Sequence, residues 1–410
     1  MPIEGSGENA RSGLEASDVA RSMTLARRRG LGILLAASFG ADFAVSIVTL
    51  AVQFLGIALR AHPMLLGLYG TAASGVYAAM ALVSGRAADR LGRRVGVAAL
   101  VLASIVWLVM GVQKSPYALL ALTPLSAAAL AYFWPATQAW IGDLVTDRRH
   151  LNAVLGSFNV LWTAGLMLGP VICAYLWVRN HYAPFATAAG VAWLMALGLL
   201  MVPVPHGREK QAAEGDNEDA ADPRADFYLP LAWAANFVSW SAVGVIRTLF
   251  PKLAHDLGFG EVITGWLTFA YYVGQLGAFL ALRQSSAWQY RRLPLVLGLA
   301  GGALGMSGAW LGRTPLTFGV CFAVAGVSVG FTYVASLFYS LHAPMEQRGK
   351  RAGIHEMTVG AGGALGPLVG GAVATYQGVR ASFGALGLMY AAAGVLLIVW
   401  SVLRRPAQGS

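Results

Sequence analysis

Twelve long apolar stretches take up most of this chain, at roughly residues 31–59, 65–84, 95–113, 117–140, 151–178, 183–203, 227–251, 262–283, 293–312, 315–341, 352–376 and 380–403. Each exceeds the ~18 residues of a membrane-crossing helix candidate. Strands of a membrane barrel alternate in polarity and run to about ten residues, whereas these stretches are longer and continuously apolar. Helices are the remaining solution, because lipid offers backbone N–H and C=O groups no partner. Charged residues make up only 12% of the chain, against roughly 25% in soluble domains. Glycine is abundant, at 50 residues, and suits helices that approach one another closely. The expected fold class is therefore an all-α membrane protein with twelve transmembrane helices. Most are joined by short turns that make sequential neighbours antiparallel.

The net charge of +10 would suggest nucleic acid if it were spread over a surface. Its placement excludes that partner. With the N-terminus inside, 22 of the 29 Lys and Arg residues fall in inner segments and six fall in outer ones. Such an excess places both termini in the cytoplasm and the chain in the cell's inner (plasma) membrane. Arg27-Arg28-Arg29 precede an apolar run too long for a cleavable signal core of 7–15 residues, so the first helix is expected to be retained. Cys173 and Cys321 both lie in apolar stretches and form no disulfide framework or metal site. No Walker sequence, zinc spacing or serine nucleophile elbow is present, so no cofactor, metal, ATP drive or enzyme activity is expected.

The chain divides into five parts. Residues 1–30 read as a disordered cytoplasmic tail, 31–203 as one six-helix bundle, 204–226 as an acidic, proline-containing cytoplasmic linker, 227–404 as a second bundle, and 405–410 as a short tail. The two bundles are related. A shift of 198 residues sets Gly67 on Gly265 and Arg93-Arg94 on Arg291-Arg292, and a shift of 197 sets Gly165-x-x-x-Gly169-Pro170 on Gly362-x-x-x-Gly366-Pro367. Repeats of this kind place a substrate site near the bilayer midplane, between the halves.

Residues 85–94 form the run Gly85-Arg-Ala-Ala-Asp89-Arg90-Leu-Gly92-Arg93-Arg94, between the second and third apolar stretches. The chain resembles the major facilitator superfamily of secondary transporters, whose signature loop has this Gly-x-x-x-Asp-Arg-x-Gly-Arg-Arg form. The resemblance extends over about 370 residues. It implies two bundles rocking about a central site, with this loop latching their inner ends while the cavity faces outward. Read without the resemblance, the run is a basic turn on the inner side. The second copy has Arg283 and Ala287 where Gly85 and Asp89 would fall, so a matching latch there is expected to be weak or absent. The glycine–proline motifs read as helix-packing faces with a bend. The family's exporter form of the fifth-helix motif ends in a glycine pair. That pair is intact only in the eleventh helix, as Gly370-Gly371, with Cys173-Ala174 in its place in the fifth.

Ionisable residues inside a membrane are costly and usually functional. Asp42 lies about 16 Å along the first helix and shares a polar stripe with Ser38, Ser46, Thr49 and Gln53. A carboxylate in a low-dielectric setting holds a proton more readily, so Asp42 is the leading candidate for proton coupling. Pairing with a cationic substrate and a structural hydrogen-bonded role are the alternatives. His355 and Glu356 open the eleventh helix about 5 Å from its expected end, where Glu356 reads as a second protonation site, a gate ion pair or a helix-start acid. Arg247 falls near the outer end of the seventh helix and reads as an outer gate or as a side chain snorkelling to water. With it placed there, no cation stands at mid-depth, which argues against a strongly anionic substrate. Candidate cavity-lining residues are Ser38, Ser46, Gln53, Trp134, Gln138 and Asn159 in the first half, with Asn236, Trp240, Arg247, Tyr333 and Ser336 in the second. Aromatic residues of this kind also serve as interface anchors.

The expected protein is a monomeric carrier of a small organic solute, coupled to protons or facilitative, with membrane lipid as its surroundings. Export is one direction. Uptake of a sugar or metabolite and a transport-inactive receptor or scaffold are the alternatives. Replacing the 204–226 segment with a Gly/Ser segment of equal length should preserve transport, because its composition is that of a tether. Loss of solute flux in proteoliposomes carrying that replacement would show that the segment has a specific role.

Overall fold

Prolines start several helices where an N–H would have no partner in any case: Pro63, Pro116, Pro184 and Pro315 each occupy the first or second helical position. The computed structural model of the chain describes residues 6–145, 148–203, 223–342 and 345–403. Its elements are α1 (Ser6–Ala58), α2 (Pro63–Leu91), α3 (Val95–Gly111), α4 (Pro116–Leu130), α5 (Phe133–Leu144), α6 (Arg148–Arg179), α7 (Ala183–Leu200), α8 (Pro223–Asp256), α9 (Glu261–Arg283), α10 (Arg292–Leu311), α11 (Pro315–Leu341), α12 (Met345–Gln377) and α13 (Val379–Leu403). No strand occurs among the described residues. Ten segments are long and apolar enough to cross a membrane, with α4 and α5 together forming one of them. α3 is apolar but only 17 residues long. α9 spans 23 residues and is diluted by Thr264, Thr268, Tyr271, Tyr272 and Gln275, which turn inward. These two complete the expected twelve.

Four boundaries differ from the sequence reading. α1 begins at Ser6, so residues 6–30 are helical rather than a disordered tail; no proline interrupts the chain between Pro2 and Pro63. The fourth crossing is broken at Ala131 and Tyr132, because Pro135 can give no hydrogen bond to the Ala131 carbonyl and its ring crowds that turn. α2 continues through Leu91, so only Gly92, Arg93 and Arg94 form the turn. Gly92 stops the helix with φ +82°, a conformation that favours glycine. The linker reading of residues 204–226 falls mostly outside the described residues, but Pro223–Asp226 already belong to α8. There Asp226 pairs with Arg351 of α12.

The glycine motifs do what their spacing predicts. A Cβ at Gly165 would stand 2.8 Å from the Phe43 nitrogen, and one at Gly169 would stand 2.8 Å from the Phe43 oxygen and 2.6 Å from the Ser46 Cβ. α6 therefore lies directly on the backbone of α1. The second copy repeats this: a Cβ at Gly362 would lie 3.1 Å from the Ser241 nitrogen, and one at Gly366 would lie 2.6 Å from the Ser241 Cα, which seats α12 on α8. The 198-residue relation of α1 to α8 is thus a physical equivalence.

The halves meet through a second symmetric pair of contacts. Gly265 of α9 packs against the Pro170 carbonyl of α6, where a Cβ would stand 2.7 Å away, and Gly67 of α2 packs against the Pro367 carbonyl of α12. The α2–α12 seam also carries the Thr71 hydroxyl donating to the Ala364 carbonyl at 2.9 Å, and it runs from Met64 beside Gly371 to Ala78 beside Gly360. That is the part of α2 farthest from the signature turn. At the signature-turn end, the ion pairs among the described residues stay within one half. Arg93 donates to Asp143 of α5 through Nε (2.6 Å) and Nη2 (3.2 Å), and Arg351 pairs with Asp226 in the other half.

Outward faces are left apolar. Leu388 is 74% exposed and Leu316 78%, which is tolerable only with lipid as solvent. Gly366→Leu should lower the melting temperature in detergent by the equivalent of about 1–3 kcal/mol, the usual cost of overpacking. Gly190→Ala, where a Cβ meets nothing within 4 Å, should be neutral or slightly stabilising. Equal melting of the two variants would remove the glycine faces from the packing argument.

Candidate functional site: a cavity at the seam of the two halves

A cavity of about 1730 Å³ opens between the halves, lined by residues of α1–α6 on one side and of α8, α11 and α12 on the other. Asp42 reaches it from α1 and is 8% exposed. The α6 glycine face fixes its position, since a Cβ at Gly165 would lie 3.3 Å from the Asp42 Cβ. Asp42 has no hydrogen bond or ion pair among the described residues, but its charge interacts with that of Arg247 across the seam.

Arg247 is a correction to the sequence reading. It lines the cavity, as one of its readings expects, but the sequence sets it near a helix end, whereas α8 continues to Asp256, leaving Arg247 nine residues inside, about 13 Å deep at 1.5 Å per residue. It neither snorkels to water nor stands at the outer rim. Its Nε donates to the Tyr272 hydroxyl at 2.9 Å. Its guanidinium carbon lies 5.9 Å from the Trp240 ring and 5.7 Å from the Tyr272 ring, within cation–π range. The cavity therefore does hold a cation at depth, and the argument against an anionic group in the solute falls.

Glu356 and His355 part company. α12 begins at Met345, eleven residues before Glu356 and about 16 Å away along the axis, so Glu356 is no helix-start acid. It lines the cavity and is exposed to it. His355 points away and is fully buried. Its Nδ1 hydrogen-bonds the Ser336 hydroxyl at 2.8 Å, and its ring meets the Tyr333 edge at 4.9 Å. Adjacent helical positions are turned about 100° apart, so two neighbours seldom share a face.

The other expected lining residues divide in the same way. Gln53, Trp134, Gln138, Asn159, Trp240 and Tyr333 line the cavity, as does Thr49. Ser38 does not; its hydroxyl donates to the Leu34 carbonyl at 2.9 Å. Ser46 lines a smaller space of about 350 Å³ beside Arg247 and Tyr272, and donates to the Leu166 carbonyl at 2.8 Å. Asn236 is spent on the Thr358 hydroxyl at 2.9 Å, and Ser336 on His355. The sequence reading missed Tyr69, Ser74 and Tyr77 on α2, Trp107 on α3 and Trp162 on α6, all of which line the cavity. Tyr69, Ala73 and Tyr77 recur every four residues, a helical stripe that could have been read. Trp162 carried no such signal. Its ring stands 6.4 Å from Phe279 and 6.5 Å from Tyr333 of the other half.

The side chains of residues 85–89 lie outside the described set, so the latch role assigned to Gly85 and Asp89 has no geometry here. Arg90 and Arg94 are exposed, and Arg93 is engaged by Asp143.

Two pseudo-symmetric helical bundles around a central, charged cavity define a membrane carrier. The chain matches the family model of the Major Facilitator Superfamily over residues 34–230 and 232–410, and it belongs to that superfamily. It is a multi-pass membrane protein of that superfamily, which is one of transporters rather than enzymes. A multi-drug resistance efflux pump, PmrA of Streptococcus pneumoniae, is 27% identical over 180 residues, which is 42% of this chain and 44% of that protein. The chain thus aligns with under half the length of the curated relative it matches. Among solved structures, a bacterial homolog of the human lysosomal transporter Spinster, in an inward-facing and unoccupied conformation, aligns with a TM-score of 0.73 at 15% identity, over 92% of this chain and 97% of that one. The nucleoside transporter NupG aligns with a TM-score of 0.70 at 13% identity, over 91% and 98%. A POT family transporter in complex with 5-aminolevulinic acid aligns with a TM-score of 0.70 at 13% identity, over 92% and 96%. At these identities the likeness is one of fold.

Proposed function

We propose that the chain exports a small organic solute across the cytoplasmic membrane in exchange for protons, by alternating access, with both termini in the cytoplasm. The observation that carries this reading is the large cavity at the seam. It receives the Asp42 carboxylate from the first half and the Glu356 carboxylate from the second. A carboxylate facing such a cavity exchanges a proton with whichever side the cavity meets, and its charge alters which arrangement of the halves is stable. The likeness to an efflux pump favours export. Uptake by the same machinery is the second reading, since the fold neighbours include a nucleoside transporter.

The seam contacts support a conformational assignment. With both termini inside, the end of α2 near Met64 is the outer one, and there α2 is closed on α12. The cavity then opens toward the cytoplasm. In this state the Arg93–Asp143 pair ties the signature turn to its own half. Its role as a latch belongs to the opposite, outward-open state, with the Asp89 carboxylate as the group that engages the other half.

Asp42→Asn should abolish solute flux driven by a pH gradient in proteoliposomes, while the protein still elutes as a monodisperse species. Full retained flux would remove Asp42 from the coupling. Asp89→Ala should shift the population toward the state open at the signature-turn end by about 1 kcal/mol, roughly fivefold. Single cysteines placed on either side of the cavity, in a background lacking Cys173 and Cys321, would report it as faster labelling from the inside and slower labelling from the outside. Unchanged labelling would count against the latch.

A further inference from the structure

Two side chains of opposite charge, one from each half, face the same cavity without a direct ionic partner. Asp42 has none among the described residues. Arg247 gives Nε to Tyr272 and rests its face near Trp240 and Tyr272, which leaves its two terminal amino groups without an acceptor among the described residues. The pair interacts through space yet does not close to ion-pair distance. An uncompensated charge taken out of water is costly, and a guanidinium offers several donors in a fixed fork suited to a carboxylate. An occupant with one complementary charge would relieve one side and leave the other.

Resting on the carrier reading above, we propose that the solute is a zwitterion: its ammonium group is held by Asp42, its carboxylate by Arg247, and its aromatic or apolar body by Trp134, Trp162, Trp240 and Tyr333. The charge balance is consistent with this. The cavity carries two carboxylates and one guanidinium. A zwitterion answers Asp42 and Arg247 and leaves Glu356, which one proton neutralises. A monoanion leaves both carboxylates unanswered. A monocation balances the total but leaves the guanidinium without a partner. Competition between a proton and the ammonium group for Asp42 would also couple exchange of the two. The pseudo-symmetry shows that Arg247 is a feature of one half only: its counterpart on α1 is Thr49, and the counterpart of Asp42 on α8 is Trp240. The polar stripes of the two helices have diverged into opposite charges.

The test uses the full-length protein in lipid nanodiscs, with intrinsic tryptophan fluorescence as the readout, since three tryptophans of the proposed site line the cavity. Three probes differ only in charge: the dipeptide Phe-Phe, its C-terminal amide and its N-acetyl form. At pH 6.5 they are mainly a zwitterion, a cation and an anion respectively, because an α-amino group titrates near pH 7.7. The zwitterion should bind at least about tenfold more tightly than either of the others, given what a desolvated charge pair contributes. Arg247→Gln should bring the zwitterion and the amide to equal affinity, and Asp42→Asn should do the same for the zwitterion and the N-acetyl form. Arg247→Lys, which keeps the charge, should retain a preference for the free carboxylate. If Arg247→Gln does not fold, the probe order on the native protein and on Arg247→Lys carries the test. The proposal is overturned if no probe binds, if the amide binds the native protein as tightly as the zwitterion, or if Arg247→Gln keeps the full preference. Flux in proteoliposomes separates this from the carrier reading. Selective binding without translocation would sink the carrier and keep the site, and translocation of a cation without zwitterion preference would do the reverse.

Discussion

Close backbone approach at glycine is the constraint on which the rest of this structure depends. Lipid provides no hydrophobic drive to press apolar helices together, so association rests on van der Waals contact and a few polar bonds. α6 can lie on α1, and α12 on α8, only because Gly165, Gly169, Gly362 and Gly366 present no side chain at the crossing. The same principle builds the seam, where Gly67 and Gly265 meet the carbonyls of Pro367 and Pro170. One motif therefore serves two purposes: its glycines bind a bundle together, and the proline beside them offers its carbonyl to the other bundle. Two bundles held at such paired points can rock about them without losing their internal packing.

The site inherits its geometry from these contacts. α6 presses on α1 at Asp42, and α12 presses on α8 at Trp240, about two turns before Arg247. Asp42 and Arg247 are thus set on helices whose positions are fixed by glycine packing. The cavity wall is neutral apart from Asp42, Arg247 and Glu356, which come from both halves, and aromatic rings are spread among its aliphatic and small residues. A solute that bridges such charges touches both moving bodies at once, which is what allows binding to bias the arrangement of the halves.

The signature-turn ends of the two bundles have taken different routes. The first half clamps its signature turn with the Arg93–Asp143 pair. The corresponding turn of the second half is held by rings: Trp288 is buried against Phe331, Phe338 and Tyr339, and Arg224 lies 4.6 Å from the Tyr290 ring centre. The missing glycine and aspartate in that copy are matched by this aromatic anchoring, which holds the turn to its own bundle.

Membrane residence, twelve crossings, the internal repeat and the packing role of the glycine–proline motifs were all legible in the sequence. They depend on local composition and on spacing along one helix, which survive without a third dimension. Helix ends were legible only where a breaker marks them. Gly92 and Pro63 mark two, but nothing in the apolarity of residues 227–251 or 352–376 shows that those helices run on through polar residues at both ends. That shortfall misjudged the depth of Arg247 and Glu356. Helix rotation was the other missing quantity: Asp42 and Gln53 face the cavity while Ser38, on the same polar stripe, turns to its own backbone. By itself, then, the sequence determined a lipid-solvated protein made of two related halves with a carboxylate inside its first long apolar helix. Only the tertiary structure decided that Arg247 stands opposite that carboxylate, because a contact between residues some two hundred positions apart is set by how two bundles dock, and no periodicity within either one encodes it.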